Sequence, residues 1–170
     1  ADIVSSDDAV SCVVVSAPGK RAKNDTKVTD LLYACLDKVN DGLSPQEAFK
    51  PIEERFDSIL RGLNLNCDFK TYYDEIKSEL AKGATKDYIA SRGEFLSAVV
   101  LSEYLNWKFI DAKDFVRFDD KGNFLSEETN AYAKAVLHGV KKAIIPGFYG
   151  ATGDGTIKTF SRGGSDISGS

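Results

Sequence analysis

The sequence predicts an α/β fold with a mainly parallel central sheet. Short apolar runs, typical of strands buried on both faces, occur at 10–16 and 142–146. Between them, apolar residues recur every three or four positions over long stretches, as they do in amphipathic helices. Strands separated by helices favour parallel pairing, because each helix returns the chain to the same end of the sheet.

The first predicted strand leads into a loop and then a helix. The run at 10–16 is rich in valine and ends in the turn Ala17-Pro18-Gly19, and residues 20–27 are polar, with no periodicity. Thr29 is a suitable N-cap for the first helix, because its hydroxyl can accept a hydrogen bond from a free backbone N–H.

Three more helices are predicted before the next strand. Ser44-Pro45-Gln46-Glu47 has the pattern of a capping box with proline at the first helical position. Pro51 lies within the pattern that follows and predicts a kink or a restart there. A third helix from Phe69 is stopped by Gly83, and a fourth spans 85–105.

The second half of the chain is predicted to hold most of the strands. Short strands are expected at 107–110, 115–118, 142–146 and 156–160, with one helix at 127–137. The glycine-rich segment that begins at 153 lacks the glycine that precedes lysine in a P-loop. We therefore interpret it as a turn joining two strands.

Composition excludes several classes of protein. Lys and Arg number 22 against 26 Asp and Glu, a net charge of −4 that disfavours nucleic-acid binding. No apolar stretch approaches the length of a membrane helix. Cys12, Cys35 and Cys67 are odd in number and far apart, so a cytoplasmic location is predicted. His138 is the sole histidine, which excludes a zinc site built on several histidines.

A candidate binding segment lies near the carboxy end, at Ser161-Arg162-Gly163-Gly164-Ser165-Asp166. The paired glycines let backbone N–H groups approach an anion, and Arg162 adds a planar cation that can grip a carboxylate or phosphate. Ser165 and Asp166 would then cap a following helix. A plain glycine turn with a solvated arginine explains the same residues equally well.

Glu94 is the second candidate residue. It shares a helical stripe with small and apolar residues, so its carboxylate is a candidate for partial burial. A buried carboxylate needs a cationic partner, which Arg92, Arg162 or a ligand could provide. From the sequence alone, an ordinary surface charge remains the favoured interpretation.

Five segments occur in a characteristic order along the chain. They are Val13-Val14-Val15-Ser16-Ala17-Pro18-Gly19, Thr29-Asp30-Leu31-Leu32, Ser91-Arg92-Gly93-Glu94, Pro146-Gly147-Phe148-Tyr149-Gly150 and Phe160-Ser161-Arg162-Gly163-Gly164-Ser165-Asp166. In these segments the chain resembles aspartate kinases, which are members of the amino-acid kinase family. The long helical insertion is most similar to the single-function bacterial enzymes of the clostridial type.

The resemblance implies transfer of the γ-phosphoryl group of Mg-ATP to the side-chain carboxylate of L-aspartate, the first step toward lysine, threonine and methionine. It implies the family's three-layer sandwich around the parallel sheet. Substrate-binding roles fall on Glu94, Arg162, Thr29 and Ser16. The same resemblance puts Ser165 and Asp166 beside the reacting groups as catalytic residues, and the backbone of Gly163 and Gly164 near the phosphate. No protein metal ligand is implied.

The chain also departs from the family pattern. The Lys-Phe-Gly-Gly strand, the nucleotide-binding part and the ACT domains are absent from residues 1–170. We therefore expect an incomplete, interior part of the kinase domain that is inactive alone, with a homodimer formed by the full-length protein. Two alternatives stay open: a sister kinase acting on glutamate, acetylglutamate or a nucleoside monophosphate, and a non-catalytic ligand-binding module.

Overall fold

The computed structural model describes residues 4, 6, 7 and 9–160 of the chain. Its main sheet has three parallel strands, β1 (Cys12–Val15), β2 (Lys108–Phe109) and β3 (Ala143–Pro146), in the order β1-β3-β2. A separate antiparallel hairpin joins β4 (Tyr149–Ala151) to β5 (Ile157–Thr159). The predicted α/β class with a parallel sheet is confirmed.

In the part of the chain that the structure describes, five α-helices accompany these strands. Four of them lie between β1 and β2, and the fifth precedes β3. They are α1 (Val28–Asn40), α2 (Pro45–Gly62), α3 (Phe69–Ala81), α4 (Lys86–Leu105) and α5 (Ser126–Val136), and a single 3-10 turn lies at Ala112–Asp114. Among the helices that the structure describes, none has the length and apolar character to cross a membrane.

The sheet is covered on both faces. Phe109 packs against the first apolar cluster, which is built from α1 to α4, whereas Ile145 belongs to a second cluster that also contacts Val136 and Leu137 around the end of α5. Because alternate side chains of a strand point to opposite faces, this division puts helices above and below the strands. The arrangement agrees with the predicted three layers.

The start of α2 forms as the sequence predicts. Ser44 is the N-cap, its hydroxyl oxygen accepts a hydrogen bond from the Glu47 backbone N–H, and the hydroxyl donates to the Glu47 carboxylate. Of the kink or restart predicted at Pro51, the restart is wrong, because α2 runs without interruption to Gly62, and the kink stays a prediction. Phe49 and Ile52 flank the proline and are fully buried, and their packing outweighs the one backbone hydrogen bond that the proline removes.

Two other local predictions are also wrong. Helix α1 begins at Val28, so Thr29 lies inside its first turn and Lys27 is the N-cap, without a side-chain cap bond. Val28 is fully buried and its N–H bonds to the Pro18 carbonyl at 3.3 Å, which explains the earlier start. Residues 115–118 form no strand, only isolated bridges at Arg117 and Phe118.

Candidate functional site

The ends of β1 and β3 bring the predicted turn Ala17-Pro18-Gly19 and the segment that begins at Gly147 to one edge of the sheet. The strands pair in parallel register from Cys12 with Ala143 to Val15 with Pro146, and the Gly147 N–H bonds to the Val15 carbonyl at 2.9 Å. Ser16 and Gly147 therefore leave the sheet side by side. In open parallel sheets, ligands bind beyond this edge.

Helix α4 lies directly against the turn after β1. A Cβ atom added to Gly93 would stand 2.8 Å from the Ala17 Cβ and 3.5 Å from a methyl of Val28. Only glycine allows this approach of helix to turn. Three predicted substrate-binding residues, Ser16, Thr29 and Glu94, each follow or precede one of these contact residues, so the fold gathers their segments at the sheet edge.

Glu94 is buried, with 7% of its surface exposed, and the interpretation as a surface charge is wrong. Burial raises the pKa of its carboxyl from 4.5 to about 7, an effect that hydrogen bonding from the Ala17 backbone partly opposes. Its Oε2 atom is buried and has no hydrogen-bond partner among the described residues. A buried carboxylate oxygen without a hydrogen-bond partner is stabilised when a cation binds beside it. Glu94 is therefore a candidate for binding a cationic group of a ligand.

Arg92 does not neutralise Glu94 through a direct contact. Its guanidinium donates to the Ser91 hydroxyl at 2.9 and 3.1 Å and lies over the rings of Tyr88, Phe95 and Tyr149, 4.5 to 5.4 Å from their centroids. Residues two apart on a helix point away from each other, which accounts for the separation. Arg92 lowers the pKa of Glu94 only as its weakest contributor.

Phe148 was not predicted as a site residue, yet its backbone is unusual. Its φ is +77°, a left-handed value that is rare for a bulky side chain. Hydrogen bonds anchor the chain at this point: the Phe148 carbonyl accepts from the Phe160 N–H at 2.9 Å, and the Tyr149 hydroxyl donates to the Asp111 carboxylate at 2.7 Å. Strain of this kind concentrates at functional sites.

The remaining predicted site residues divide into two groups. Ser16 is exposed and Thr29 is half-buried, both at the edge described above. The others lie outside the described residues: Arg162, Gly163, Gly164, Ser165 and Asp166. The prediction that Arg162 and Glu94 share one pocket therefore stays a prediction. The described residues contain no group of three or more acidic, histidine or cysteine side chains that could hold a metal ion.

Comparison with known proteins assigns the family. The sequence profile described as "Amino acid kinase family" matches residues 2–170. The chain belongs to the amino acid kinase family.

Particular members of the amino acid kinase family are similar over nearly the whole chain. Aspartokinase 3 of Bacillus subtilis (strain 168) is 35% identical over 99% of this chain and 40% of its own length. The crystal structure of Clostridium acetobutylicum aspartate kinase has a TM-score of 0.93 and 43% identity, covering 99% of this chain and 39% of that one.

A third relative was solved with ligands bound. E. coli aspartokinase III in complex with aspartate and ADP has a TM-score of 0.76 and 25% identity, covering 98% of this chain and 40% of that one. This chain thus spans about two fifths of the length of the relatives that it matches.

Proposed function

We propose that the chain is the aspartate-binding part of an aspartate kinase. The reaction is transfer of the γ-phosphoryl group of ATP to the side-chain carboxylate of L-aspartate, giving 4-phospho-L-aspartate for the biosynthesis of lysine, threonine and methionine. The observation that carries this proposal is the buried Glu94 with an unpartnered oxygen at the carboxyl edge of the sheet. The similarity to aspartate kinases supports the choice of substrate.

Glu94 is assigned to the ammonium group of aspartate. Burial raises the pKa of the Glu94 carboxyl to about 7. A cation that binds beside the carboxylate forms a strong ion pair and hydrogen bond with it and so stabilises its charged form. A substrate with a permanent positive charge is therefore selected over a neutral analogue. Of the residues proposed for the pocket, Glu94 is the one that, within the described structure, has a buried side-chain oxygen without a hydrogen-bond partner.

The other roles are assigned by residue type and family likeness. Arg162, two residues after Phe160 in the sequence, pairs with a carboxylate of aspartate, since its planar fork matches that group. Ser16 and Thr29 line the same pocket with their hydroxyl groups. Beyond Arg162, we assign the backbone N–H groups of Gly163 and Gly164 to the transferring phosphate, and Ser165 and Asp166 to catalytic roles at the reacting groups.

Phosphoryl transfer requires alignment of the two substrates and positive charge around the transferring group. Mg²⁺ enters with ATP as Mg-ATP in this proposal. The nucleotide-binding part is assigned to residues that these 170 do not include, so the chain alone is expected to show no kinase activity. The parent protein is proposed to be a cytoplasmic homodimer that binds no nucleic acid, in keeping with the net charge of −4.

A chimera tests the proposed function directly. Residues 1–170 would replace the matching segment of the Clostridium acetobutylicum enzyme, and ATP-dependent phosphorylation of aspartate, glutamate, acetylglutamate and nucleoside monophosphates would be compared. We expect turnover with aspartate alone. Arg162→Ala should weaken the chimera's apparent affinity for aspartate by about 1.5–3 kcal/mol, the usual contribution of a charge-assisted contact.

Two controls make the chimera decisive. The Glu53→Gln variant changes a carboxylate of α2 that pairs with Lys77 of α3 and is not among the proposed pocket residues, so it should leave aspartate turnover unchanged. The isolated 170-residue chain should give no signal with ATP and aspartate. Turnover of another acceptor at the same rate, or full aspartate affinity in the Arg162→Ala chimera, would refute the proposed function.

A further inference from the structure

The loop between β1 and α1 separates two of the proposed pocket residues. Ser16 is its first residue and Thr29 lies just after it in the first turn of α1, and most of the loop's side chains are exposed. An exposed polar loop of this length can adopt many conformations in water, and the relative position of the residues at its two ends differs among them. Some contact must therefore select one conformation if Ser16 and Thr29 are to face a ligand together.

Arg55 of α2 provides such contacts at both ends of the loop. Its side chain is 3% exposed, and its guanidinium donates to the Gly19 carbonyl at 3.1 Å and to the Thr26 carbonyl at 2.6 Å. Both acceptors are backbone atoms, so the bonds constrain the path of the chain and not merely one rotamer. The planar fork of arginine suits this use, because its donors are fixed relative to each other.

Asp25 completes the arrangement from within the loop. Its carboxylate is 2.8 Å from the Arg55 guanidinium and 2.9 Å from Arg21, whose backbone N–H also bonds to it. Hydrogen bonds from Arg21 hold the pKa of the Asp25 carboxyl well below its usual range. The carboxylate is therefore charged at neutral pH and closes the loop on itself around Arg55.

We infer that Arg55 is a positioning residue that holds the β1–α1 loop in the conformation in which Ser16 and Thr29 serve the pocket. A buried guanidinium contributes little net stability compared with an apolar side chain of its size, so stability alone does not explain it. The hydrogen bonds and the ion pair that its guanidinium makes with described residues, to Gly19, Thr26 and Asp25, all go to one loop and couple the helical block to the strand edge. This inference rests on the proposed function for its ligand.

The test compares Arg55→Met with the unaltered chain. Methionine keeps the apolar stem and removes all the loop contacts. Amide hydrogen exchange of residues 19–28 should become about tenfold faster or more. If the loop then adopts the binding conformation about a tenth of the time, the dissociation constant for aspartate measured by calorimetry should rise about tenfold.

Matched variants separate positioning from general stability. Glu53 lies on the same helix as Arg55 and forms a partly buried ion pair with Lys77 of α3. Glu53→Gln alters this pair and none of the loop contacts, so it should change neither loop exchange nor aspartate affinity. Asp25→Asn keeps the size of the side chain but removes the charge that pairs with Arg55, so it should speed loop exchange and weaken aspartate binding as Arg55→Met does. If Arg55→Met unfolds, the Asp25→Asn result decides the test.

The two proposals fail in different ways. Unchanged loop exchange in both Arg55→Met and Asp25→Asn would overturn the role of Arg55, and so would faster exchange with unchanged aspartate affinity. Absence of aspartate binding by the unaltered chain would instead count against the proposed function, while the exchange data would still decide whether Arg55 orders the loop.

Discussion

The contact between Gly93 and Ala17 gives the most direct structural prediction for the site. The Gly93→Ala substitution adds one methyl group at the point where α4 meets the turn after β1. That methyl would stand 2.8 Å from the Ala17 Cβ and 3.3 Å from a methyl of Leu32. The Ala17 Cβ is attached to the backbone, so the turn or the helix must move.

The size of the effect follows from two opposing contributions. Overpacking of a tight core contact costs about 1–3 kcal/mol, and replacing glycine by alanine within a helix returns up to about 1 kcal/mol. We therefore expect a net loss of about 1–2 kcal/mol of unfolding free energy. In a chain of this length that corresponds to a fall in Tm of about 2–8 °C.

Urea unfolding and aspartate calorimetry would be measured on Gly93→Ala and on Gly62→Ala. Gly62 also lies in a helix, but an added Cβ there meets nothing within 4 Å, so this control should be neutral or slightly stabilising. Gly93→Ala should also weaken aspartate binding, since the shift moves Ala17 away from Glu94. A Gly93→Ala chain with the stability and affinity of the unaltered chain would refute the proposed geometry.

Two further predictions concern buried polar groups. Burial raises the pKa of Glu94 to about 7, so the folded chain binds a proton more tightly than the unfolded chain and loses stability as pH rises from about 4.5 to 7. Urea titrations should show Glu94→Gln more stable than the unaltered chain at pH 8, by up to about 3 kcal/mol, with little difference at pH 4; an equal difference at both pH values would contradict this. Tyr149→Phe leaves the buried Asp111 carboxylate without its 2.7 Å donor and should cost about 1–3 kcal/mol in the same assay, whereas a neutral result would show that the hydrogen bond is dispensable.

The fold was predictable where local chemistry determines it. Ser44 and Glu47 form the capping box that their spacing predicts, and the valine-rich run forms β1. Strand β4 was not predicted, because Tyr149–Ala151 lies among glycines and becomes a strand only by pairing with β5. Thr29 was misplaced because burial of the neighbouring Val28, a tertiary effect, decides where α1 begins.

The candidate site was only partly predictable. The sequence placed Glu94 on a small-residue stripe, but its carboxylate also accepts a hydrogen bond from the backbone of Ala17, which is 77 positions away in the chain and is brought close only by the fold. The positive φ of Phe148 had no signal in the sequence, since bulky residues rarely adopt it. Arg55 could not be linked to the loop from periodicity, because its acceptors are backbone carbonyls in a distant segment.

The central claim is that Glu94 recognises the ammonium group of aspartate. Calorimetry at pH 8 with aspartate and with succinate, which lacks that group, would measure this contact in the unaltered chain and in Glu94→Gln. We predict that the unaltered chain prefers aspartate by about 10- to 100-fold and that Glu94→Gln binds the two ligands almost equally. The same preference for aspartate in both chains would contradict the claim.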